Sequence, residues 1–443
     1  MSNEKASEAQ NGGLHGSAPS NTEPAAASES QPRSSSEWAS GWSVVVAGAL
    51  GVGAISSRYY TVGLFMKPLQ DALGWSRGEI SSALTVYSLV AVVTAPLYGR
   101  LMDIVGSRRV ALFGVPAANL AFAALSLVGP KIWTWYVGWL CIALVGEAAG
   151  SIVWMTGISK QFDKQRGLAI AVANAANGVT AAIMPPLSLF LIEHVGWRET
   201  YLIIGVGLFS ILFPATWFLY HEYGAAGKKR SAEPAGLSGV TLGEAARNWR
   251  FWSINFTMLV VAAVVGVILV HLVPMLTDAG LSRGAATTAM VLIGPSLVIG
   301  RLTTGVLLDR IPAPLVACVA CILPLVGCVL LLNIAHTRQF APLIAVIFGL
   351  ATGAENDIVA YLTGRYFGRK NFSTIFGVTF GFFDVGVGAA PGLAGVIFDL
   401  TGSYQVVLVG LIIALAIAAV VILNLGPYPR FDEPARTMAA DPA

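Results

Sequence analysis

Long apolar runs separated by short polar connections dominate the chain from about residue 42 onward. The uncharged stretches 110–130, 251–270, 311–335 and 404–429 each reach the roughly 20 helical residues that cross the hydrocarbon core of a bilayer. They do not alternate in period two, as the strands of a membrane barrel do. The pattern therefore predicts an all-α integral membrane protein.

Twelve spans are predicted, centred near residues 54, 90, 120, 145, 180, 210, 262, 297, 324, 353, 386 and 415. The longest polar connection divides them into six and six. We predict a disordered cytoplasmic N-terminal tail (1–40), a six-helix bundle (41–220), a cytoplasmic central loop (221–250), a second six-helix bundle (251–426) and a cytoplasmic C-terminal tail (427–443). The first segment is assigned as a tail because it is polar and lacks an apolar stretch.

Composition agrees with this pattern and argues against a soluble enzyme. Hydrophobic residues make up 55% of the 443 and charged residues only 12%, against roughly 25% charged in soluble domains. The four cysteines lie within apolar segments. We interpret the Cys-x-x-Cys at 318–321 as core packing, because metal and redox sites need exposed thiolates in polar surroundings.

The basic residues predict the orientation in the membrane. With the N-terminus inside, the connections on that side and the C-terminal tail hold 17 lysines and arginines, whereas the other side holds six. The positive-inside rule therefore predicts that both termini are cytoplasmic. We expect a multi-pass protein of the cell membrane, and specifically of a bacterial inner membrane.

The two halves also resemble each other in sequence. Gly-Arg-Leu-Met-Asp at 99–103 matches Gly-Val-Leu-Leu-Asp at 305–309, a shift of 206 residues. Lys-Gln-Phe at 160–162 matches Arg-Tyr-Phe at 365–367, a shift of 205. Two matches at nearly one offset are typical of a duplicated transporter fold.

Residues 99–109, Gly-Arg-Leu-Met-Asp-Ile-Val-Gly-Ser-Arg-Arg, resemble the signature loop of the major facilitator superfamily. The segments 60–69, 74–77, 196–198, 353–357, 365–368 and 399–404 resemble its monocarboxylate and oxalate/formate transporter branch. The resemblance implies two pseudo-symmetric six-helix bundles that alternate access to a central cavity, usually with a proton or another ion as the driving species.

The resemblance also implies a gate at the cytoplasmic face. Asp103 can pair with the basic residues Arg108 and Arg109 and cap helix ends, and Asp309 with Arg310 forms a degenerate second copy. The alternative is that these basic residues only anchor the topology.

Charge within a span costs several kcal/mol unless it faces protein or water, so such residues are candidates for transport. Arg58 in span one and Arg301 in span eight come from opposite halves, where both could hold one carboxylate. Carboxylate carriers of the resembling branch have an anion-binding arginine in span eight and a lysine near the position of Arg58. Snorkelling or a structural ion pair remain alternatives. Tyr60 could stack on an organic anion.

Four carboxylates are candidates for proton coupling: Glu147, Glu355, Asp357 and Asp384. Gly349, Gly353 and Asp357 share one helix face, which suits close packing, whereas Glu355 lies about 200° away. One of the two carboxylates is therefore expected to face the substrate and the other a packing partner, in either order. His271, late in span seven, fits a packing residue better than a pH switch.

No Walker loop and no metal-ligand spacing is found in the sequence, so we expect no ATP, cofactor, metal or nucleic acid. The predicted function is uptake of an organic monoanion, a monocarboxylate or an aromatic carboxylate, with a proton as the coupling ion. An anion exchanger of the oxalate/formate type, a proton-coupled efflux carrier, a membrane sensor and a membrane enzyme are the alternatives. The sequence does not identify the substrate.

Overall fold

The computed structural model describes residues 37–162, 165–221, 239–368 and 370–429. Its α-helices are α1 (Glu37–Leu73), α2 (Arg77–Val105), α3 (Ser107–Ala123), α4 (Ile132–Gly146), α5 (Ser151–Gln161), α6 (Arg166–Val195), α7 (Trp197–Leu219), α8 (Leu242–Ala246), α9 (Trp249–Asp278), α10 (Arg283–Val291), α11 (Ile293–Arg310), α12 (Ala313–Leu332), α13 (Ala341–Phe367), α14 (Phe372–Thr401) and α15 (Gln405–Leu423). Short 3-10 helices span Ala124–Leu127, Glu147–Ala149 and Arg338–Phe340. Within the described ranges, β-type pairing is confined to one bridge between Gly239 and Gly368.

Among the described residues, eleven helical segments are long and apolar enough to cross a membrane. Counting α2, which is bent by 44° between Thr94 and Pro96, as one span gives the twelve that the sequence predicts. Proline removes a backbone donor and crowds the preceding turn, which explains the bend. Two spans consist of two helices each, α4 with α5 and α10 with α11. α1 begins at Glu37, so four residues that we predicted in the N-terminal tail are helical.

The outer surface of the bundle is apolar. Large hydrophobic side chains, among them Leu89, Phe113, Phe190 and Leu302, are more than half exposed. A soluble monomer rarely exposes apolar surface on this scale, whereas lipid covers it. The helix α9 differs from the other spans because 89% of its most apolar stretch is buried inside the protein. α9 is therefore a central helix of the bundle.

The sequence Gly-Trp-Ser-Arg at 74–77 forms the turn between the first two spans. Gly74 ends α1 with a φ of 72°, a conformation that favours glycine. Ser76 then begins α2 with a capping box, in which its side chain accepts a hydrogen bond from the Glu79 amide. The indole of Trp75 donates to the Pro130 carbonyl at 3.0 Å, which fixes the turn against the next connection.

The two halves, α1–α7 and α9–α15, meet closely from the middle of the spans to the end at which α1 ends and α2 begins. We call this end the closed end. α14 packs along α2, and a Cβ added to Gly388 would collide with Ser88. Similarly, a Cβ on Gly63 of α1 would collide with the Val270 carbonyl of α9. Small residues at such positions let helices approach to backbone distance.

At the opposite end, the contacts within the described ranges join helices of one half. Gly41 of α1 packs on Phe162, which follows α5 in the same half. In the other half, Arg250 Nε donates to the Leu425 carbonyl at 2.8 Å. We call this the open end, and it is the end at which α1 begins and α15 ends.

Candidate functional site

Arg58 is a buried cation with unused hydrogen-bond donors. It lies near the middle of α1, only 3% exposed. Its Nε and Nη1 atoms have no hydrogen-bond partner in the part of the chain that the structure describes. A buried guanidinium in this state is costly unless an acceptor completes it. The position therefore suits a ligand that carries negative charge.

The groups around Arg58 come from both halves. Arg58 is within electrostatic range of Tyr59, of Tyr87 on α2 and of Glu147 in the 3-10 helix between α4 and α5. Asp384 of α14 is in turn an electrostatic neighbour of Glu147 and Tyr59. We call these five residues the Arg58 cluster. It brings together one cation and two carboxylates that the sequence places in three different spans.

Arg301 forms the centre of a second cluster. Its Nε atom lies 3.4 Å from Asp357 Oδ2, an ion pair between α11 and α13. The two side chains are 20% and 40% exposed, although the Arg301 Nε atom itself is buried. Glu355 and Tyr60 are within electrostatic range of Arg301. We call these four residues the Arg301 cluster.

The glycine stripe of α13 explains why Asp357 is the carboxylate that pairs with Arg301. A Cβ on Gly353 would collide with the Leu297 carbonyl and lie 2.8 Å from the Arg301 amide. Gly349 packs on the same helix, one turn away. Asp357 continues this face by one more turn and meets the Arg301 side chain. Asp357 is thus the carboxylate that meets Arg301, and which of the two carboxylates faces the substrate stays a prediction.

Glu355 lies on another face of α13. Its side chain is buried, and its Oε2 atom has no hydrogen-bond partner among the described residues. It lines a cavity of about 20 Å³ inside the second half, together with Thr257, Cys321 and Leu362. A space of this size holds about one water molecule. Glu355 is thus a carboxyl group surrounded mainly by apolar side chains of the second half.

The structure brings most of the predicted transport residues into these two clusters, and α1 joins them. Consecutive residues of α1 supply Arg58 and Tyr59 to one cluster and Tyr60 to the other. Each arginine has carboxylate neighbours of its own. That both arginines hold one carboxylate together stays a prediction.

The predicted gating residues lie at the open end. Arg108 Nη2 donates to the Trp217 carbonyl at 2.8 Å, within the first half. Arg109, Asp309 and Arg310 are exposed. The side chain of Asp103 is outside the described residues. Among the described residues, the structure does not bring the two copies of the motif together.

Sequence reasoning missed a polar network at the closed end. Arg77 donates from Nη1 and Nη2 to both carboxylate oxygens of Asp278, at 2.6 and 2.8 Å, and from Nη1 to the Tyr404 hydroxyl at 3.1 Å. Asp399 accepts hydrogen bonds from the backbone amides of Arg77 and Gly78 at 3.1 and 2.7 Å. These contacts join the start of α2 in the first half to α9, α14 and Tyr404, the residue before α15, in the second.

His271 extends this network into the protein. It is fully buried, with Nδ1 2.8 Å from the Tyr404 hydroxyl and Nε2 2.9 Å from the Pro391 carbonyl. Both ring nitrogens of the buried imidazole thus have a hydrogen-bond partner within the protein. We call Arg77, Asp278, Asp399, Tyr404 and His271 the closed-end network. Three of its members belong to motifs that had been identified only by resemblance, at 74–77 and 399–404.

Comparison with known sequences identifies relatives of this architecture. The sequence profile of the Major Facilitator Superfamily matches residues 46–391. The uncharacterized MFS-type transporter YcxA of Bacillus subtilis is 22% identical over 396 residues, which cover 84% of this chain and 91% of YcxA. Monocarboxylate transporter 12 of Xenopus laevis is 26% identical over 270 residues, 56% of this chain and 58% of that protein.

Solved structures share the fold at low sequence identity. A bacterial homolog of the human lysosomal transporter Spinster, solved inward-facing and unoccupied, has a TM-score of 0.67 at 15% identity and covers 86% of this chain and 96% of its own. A mutant of the nucleoside transporter NupG has a TM-score of 0.71 at 12% identity and covers 86% and 99%. The chain therefore belongs to the Major Facilitator Superfamily, a class of membrane transport proteins and not of enzymes.

Proposed function

We propose that this protein is a proton-coupled symporter that takes up an organic monoanion, a monocarboxylate or an aromatic carboxylate, by alternating access. Arg301 and Arg58 bind the carboxylate, and Tyr60 contacts the organic part of the substrate. Both termini are cytoplasmic in a bacterial inner membrane, so that the open end faces the cytoplasm and the closed end faces outward.

The observation that carries this proposal is the Arg301–Asp357 ion pair. An arginine binds a carboxylate in two parallel hydrogen bonds, a geometry that the 3.4 Å contact to Asp357 does not achieve. A substrate carboxylate can therefore replace Asp357 at the guanidinium with better geometry. The partial exposure of both side chains gives it access.

The same replacement couples substrate to proton. When the substrate takes Arg301, Asp357 loses its cation in a membrane interior, where an unpaired charge is expensive. Asp357 then binds a proton, and one anion and one proton enter together without net charge. Glu355, Asp384 and Glu147 are further proton sites in this proposal, because each is a carboxylate beside one of the two arginines or in the same cluster.

Arg58 supports an anionic substrate independently. Its two donors without partners in the described structure lie in the cluster to which both halves contribute. We propose that Arg58 binds the substrate carboxylate while access changes from one side of the membrane to the other. The monocarboxylate transporters among the relatives favour the same class of substrate.

The residues of the duplicated loop motif complete the cycle. We propose that Asp103 with Arg108 and Arg109, and Asp309 with Arg310, pair across the open end when it closes toward the cytoplasm. The closed-end network is then released, and access changes to the outer side.

The test is uptake of labelled benzoate or lactate into proteoliposomes. Uptake should rise under an inward proton gradient in the wild-type protein. Arg301→Lys keeps the charge but loses the bidentate geometry, so we expect KM to rise about 10- to 100-fold, the equivalent of roughly 1.5–3 kcal/mol for charge-assisted hydrogen bonds. Arg247→Gln, a change of an exposed cation outside the spans, is the matched control and should leave KM unchanged.

Asp357→Asn separates symport from exchange. If Asp357 carries the proton, this variant should lose acceleration by the gradient but keep exchange of internal for external anion. Uptake by the wild type that ignores the gradient and depends only on internal anion would replace symport with an anion exchanger. Acceleration of efflux instead of uptake would indicate an efflux carrier.

A further inference from the structure

We propose that His271 is a proton-binding site that opens the closed end when it is protonated. This inference deepens the proposed proton coupling. It rests on the proposed function for the side of the membrane from which the proton arrives. It concerns a residue separate from the carboxylates of the two clusters. Its basis is the direction of each hydrogen bond in the closed-end network.

Each hydrogen bond of His271 has a defined direction in the closed state. The Pro391 carbonyl can only accept, so Nε2 carries a hydrogen and donates to it at 2.9 Å. In a neutral imidazole Nδ1 is then an acceptor, and the Tyr404 hydroxyl donates to it at 2.8 Å. The Tyr404 oxygen in turn accepts from Arg77 Nη1 at 3.1 Å. Donors and acceptors match only while His271 is neutral.

A proton on Nδ1 breaks this match. Nδ1 becomes a donor that points at the Tyr404 oxygen, whose own hydrogen must then turn away. The same oxygen already accepts from Arg77, so one hydroxyl would lie between two cations. A buried charge without a counter-ion is strongly disfavoured. Protonation therefore weakens the link from α9 through Tyr404 to α2, which is the link between the halves.

The other charged groups near His271 do not cancel this effect. The acidic groups are Asp278 and Asp399, and both are already engaged, the first by the Arg77 guanidinium and the second by two backbone amides of α2. On the elements packed around α9 at this level, the cations are Arg77 on α2, Lys67 on α1, Arg283 on α10 and Arg338 before α13, and Tyr404 lies before α15. The further carboxylates are Asp71, which pairs with Lys67, and Glu79, which accepts from the Ser76 amide. Each carboxylate of this set thus already has a partner other than His271.

Solvent reaches this network through a cavity at the closed end. The cavity has a volume of about 420 Å³ and is lined by residues of α1, α6, α9 and α10 as well as by Arg77. Arg77 and Asp278 both lie on its wall, and Tyr404 connects Arg77 to His271. Protons from the outer solution thus reach His271 once the hydrogen bonds of Arg77 or Tyr404 loosen.

Linkage gives the sign of the effect. Because the closed state disfavours the imidazolium, and the opened state exposes the ring to water, binding of a proton favours opening. Acid on the outer side should therefore raise the fraction of molecules in which the closed end has opened. For one linked proton, the change is at most about tenfold per pH unit.

The test measures access to a buried position and needs no substrate. Ser81 is fully buried on α2 beside Gly395. We replace Ser81 with Cys in a Cys141→Ser protein and measure its labelling rate by a membrane-impermeant maleimide in proteoliposomes, at about pH 5.5 and about pH 7.5. The matched variant is His271→Gln, whose amide donates to Pro391 and accepts from Tyr404 as neutral histidine does, but does not titrate.

Dividing the labelling rate of the protein that keeps His271 by the rate of the His271→Gln variant removes the intrinsic pH dependence of the thiol. We expect this ratio to rise at least about threefold from the higher to the lower pH, within the limit for one linked proton. An equal ratio at both pH values would overturn the proposal. Should His271→Gln fail to fold, Tyr404→Phe removes the same link and takes the place of the reference variant. It should label faster than the protein that keeps Tyr404, and by a larger factor at the higher pH than at the lower, because acid opens only the protein that keeps the link. Equal rates with and without Tyr404 at both pH values would also overturn the proposal.

The two proposals fail separately in these experiments. If the protein transports no organic acid but labelling of Ser81→Cys depends on pH through His271, the proposed function is wrong and the proton-controlled gate stands. If transport is proton-coupled but the labelling ratio is flat, the proton acts only at the carboxylates.

Discussion

Replacing Asp399 with Ala should open the closed end without acid. The carboxylate of Asp399 accepts hydrogen bonds from the first two amides of α2, at 3.1 and 2.7 Å, across the boundary between the halves. An acidic cap at a helix N-terminus contributes about 1–2 kcal/mol through hydrogen bonds and the helix dipole. Because these bonds exist only when the halves meet, their loss should shift the equilibrium toward opening by about 5- to 30-fold.

The third amide of the same helix provides the matched control. Ser76 caps the Glu79 amide from within the first half, at 3.1 Å. Ser76→Ala removes a cap of similar strength, about 1 kcal/mol, but no contact between the halves. We therefore expect it to lower thermal stability without changing access.

Distances between spin labels at Lys131 and His336 measure the outcome. Both positions are exposed, lie at the closed end and belong to different halves. The Asp399→Ala protein should gain a population with a longer distance, and the Ser76→Ala protein should not. The reasoning is refuted if both variants give the wild-type distribution, or if Ser76→Ala opens the closed end as much as Asp399→Ala does.

Three further predictions concern packing and burial. Gly353→Ala should lower the melting temperature and weaken substrate binding, because its Cβ would collide with the Leu297 carbonyl and displace Arg301. Such overpacking costs about 1–3 kcal/mol of stability. Gly305→Ala, with no atom within 4 Å of its Cβ, is the control for both measurements. Glu355→Gln should raise the melting temperature in a thermal-shift assay at alkaline pH. Under these conditions a buried carboxylate, whose Oε2 has no hydrogen-bond partner among the described residues, is replaced by a neutral amide; a marked decrease would indicate that the carboxylate is paired. Trp75→Phe should cost about 1 kcal/mol of unfolding free energy by denaturant titration, since it loses the 3.0 Å bond to the Pro130 carbonyl, and a loss near zero would show that this bond does not fix the turn.

The spans were predictable from the sequence because lipid imposes a simple rule on it. About 20 apolar residues are needed for each crossing, and no soluble core competes for them. The bend of α2 is the exception: Pro96 indicates where a helix can bend, but the sequence does not give the angle, which is 44° in the structure.

The sequence was sufficient to name the candidate residues of the site, but not to predict which of them contact each other. Helical geometry separated Glu355 from Asp357, but only the packing of Gly353 against α11 shows which carboxylate meets Arg301. The closed-end network escaped prediction because Arg77, Asp278 and Asp399 lie up to 322 residues apart and come from three spans. In a sequence, charged residues near helix ends are interpreted as residues that fix the orientation in the membrane, because their partners in the other half are not known.

The shared cap of α2 has a consequence for how the protein can be observed. The amides of Arg77 and Gly78 have a protein acceptor only while Asp399 is docked, whereas the Glu79 amide keeps Ser76 in either state. When the halves part, water replaces the carboxylate, and the two amides become free to exchange hydrogen for deuterium. Three successive residues thus provide a signal and its internal reference: exchange at 77 and 78, compared with 79, reports the fraction of time spent open in the unlabelled, unmutated protein.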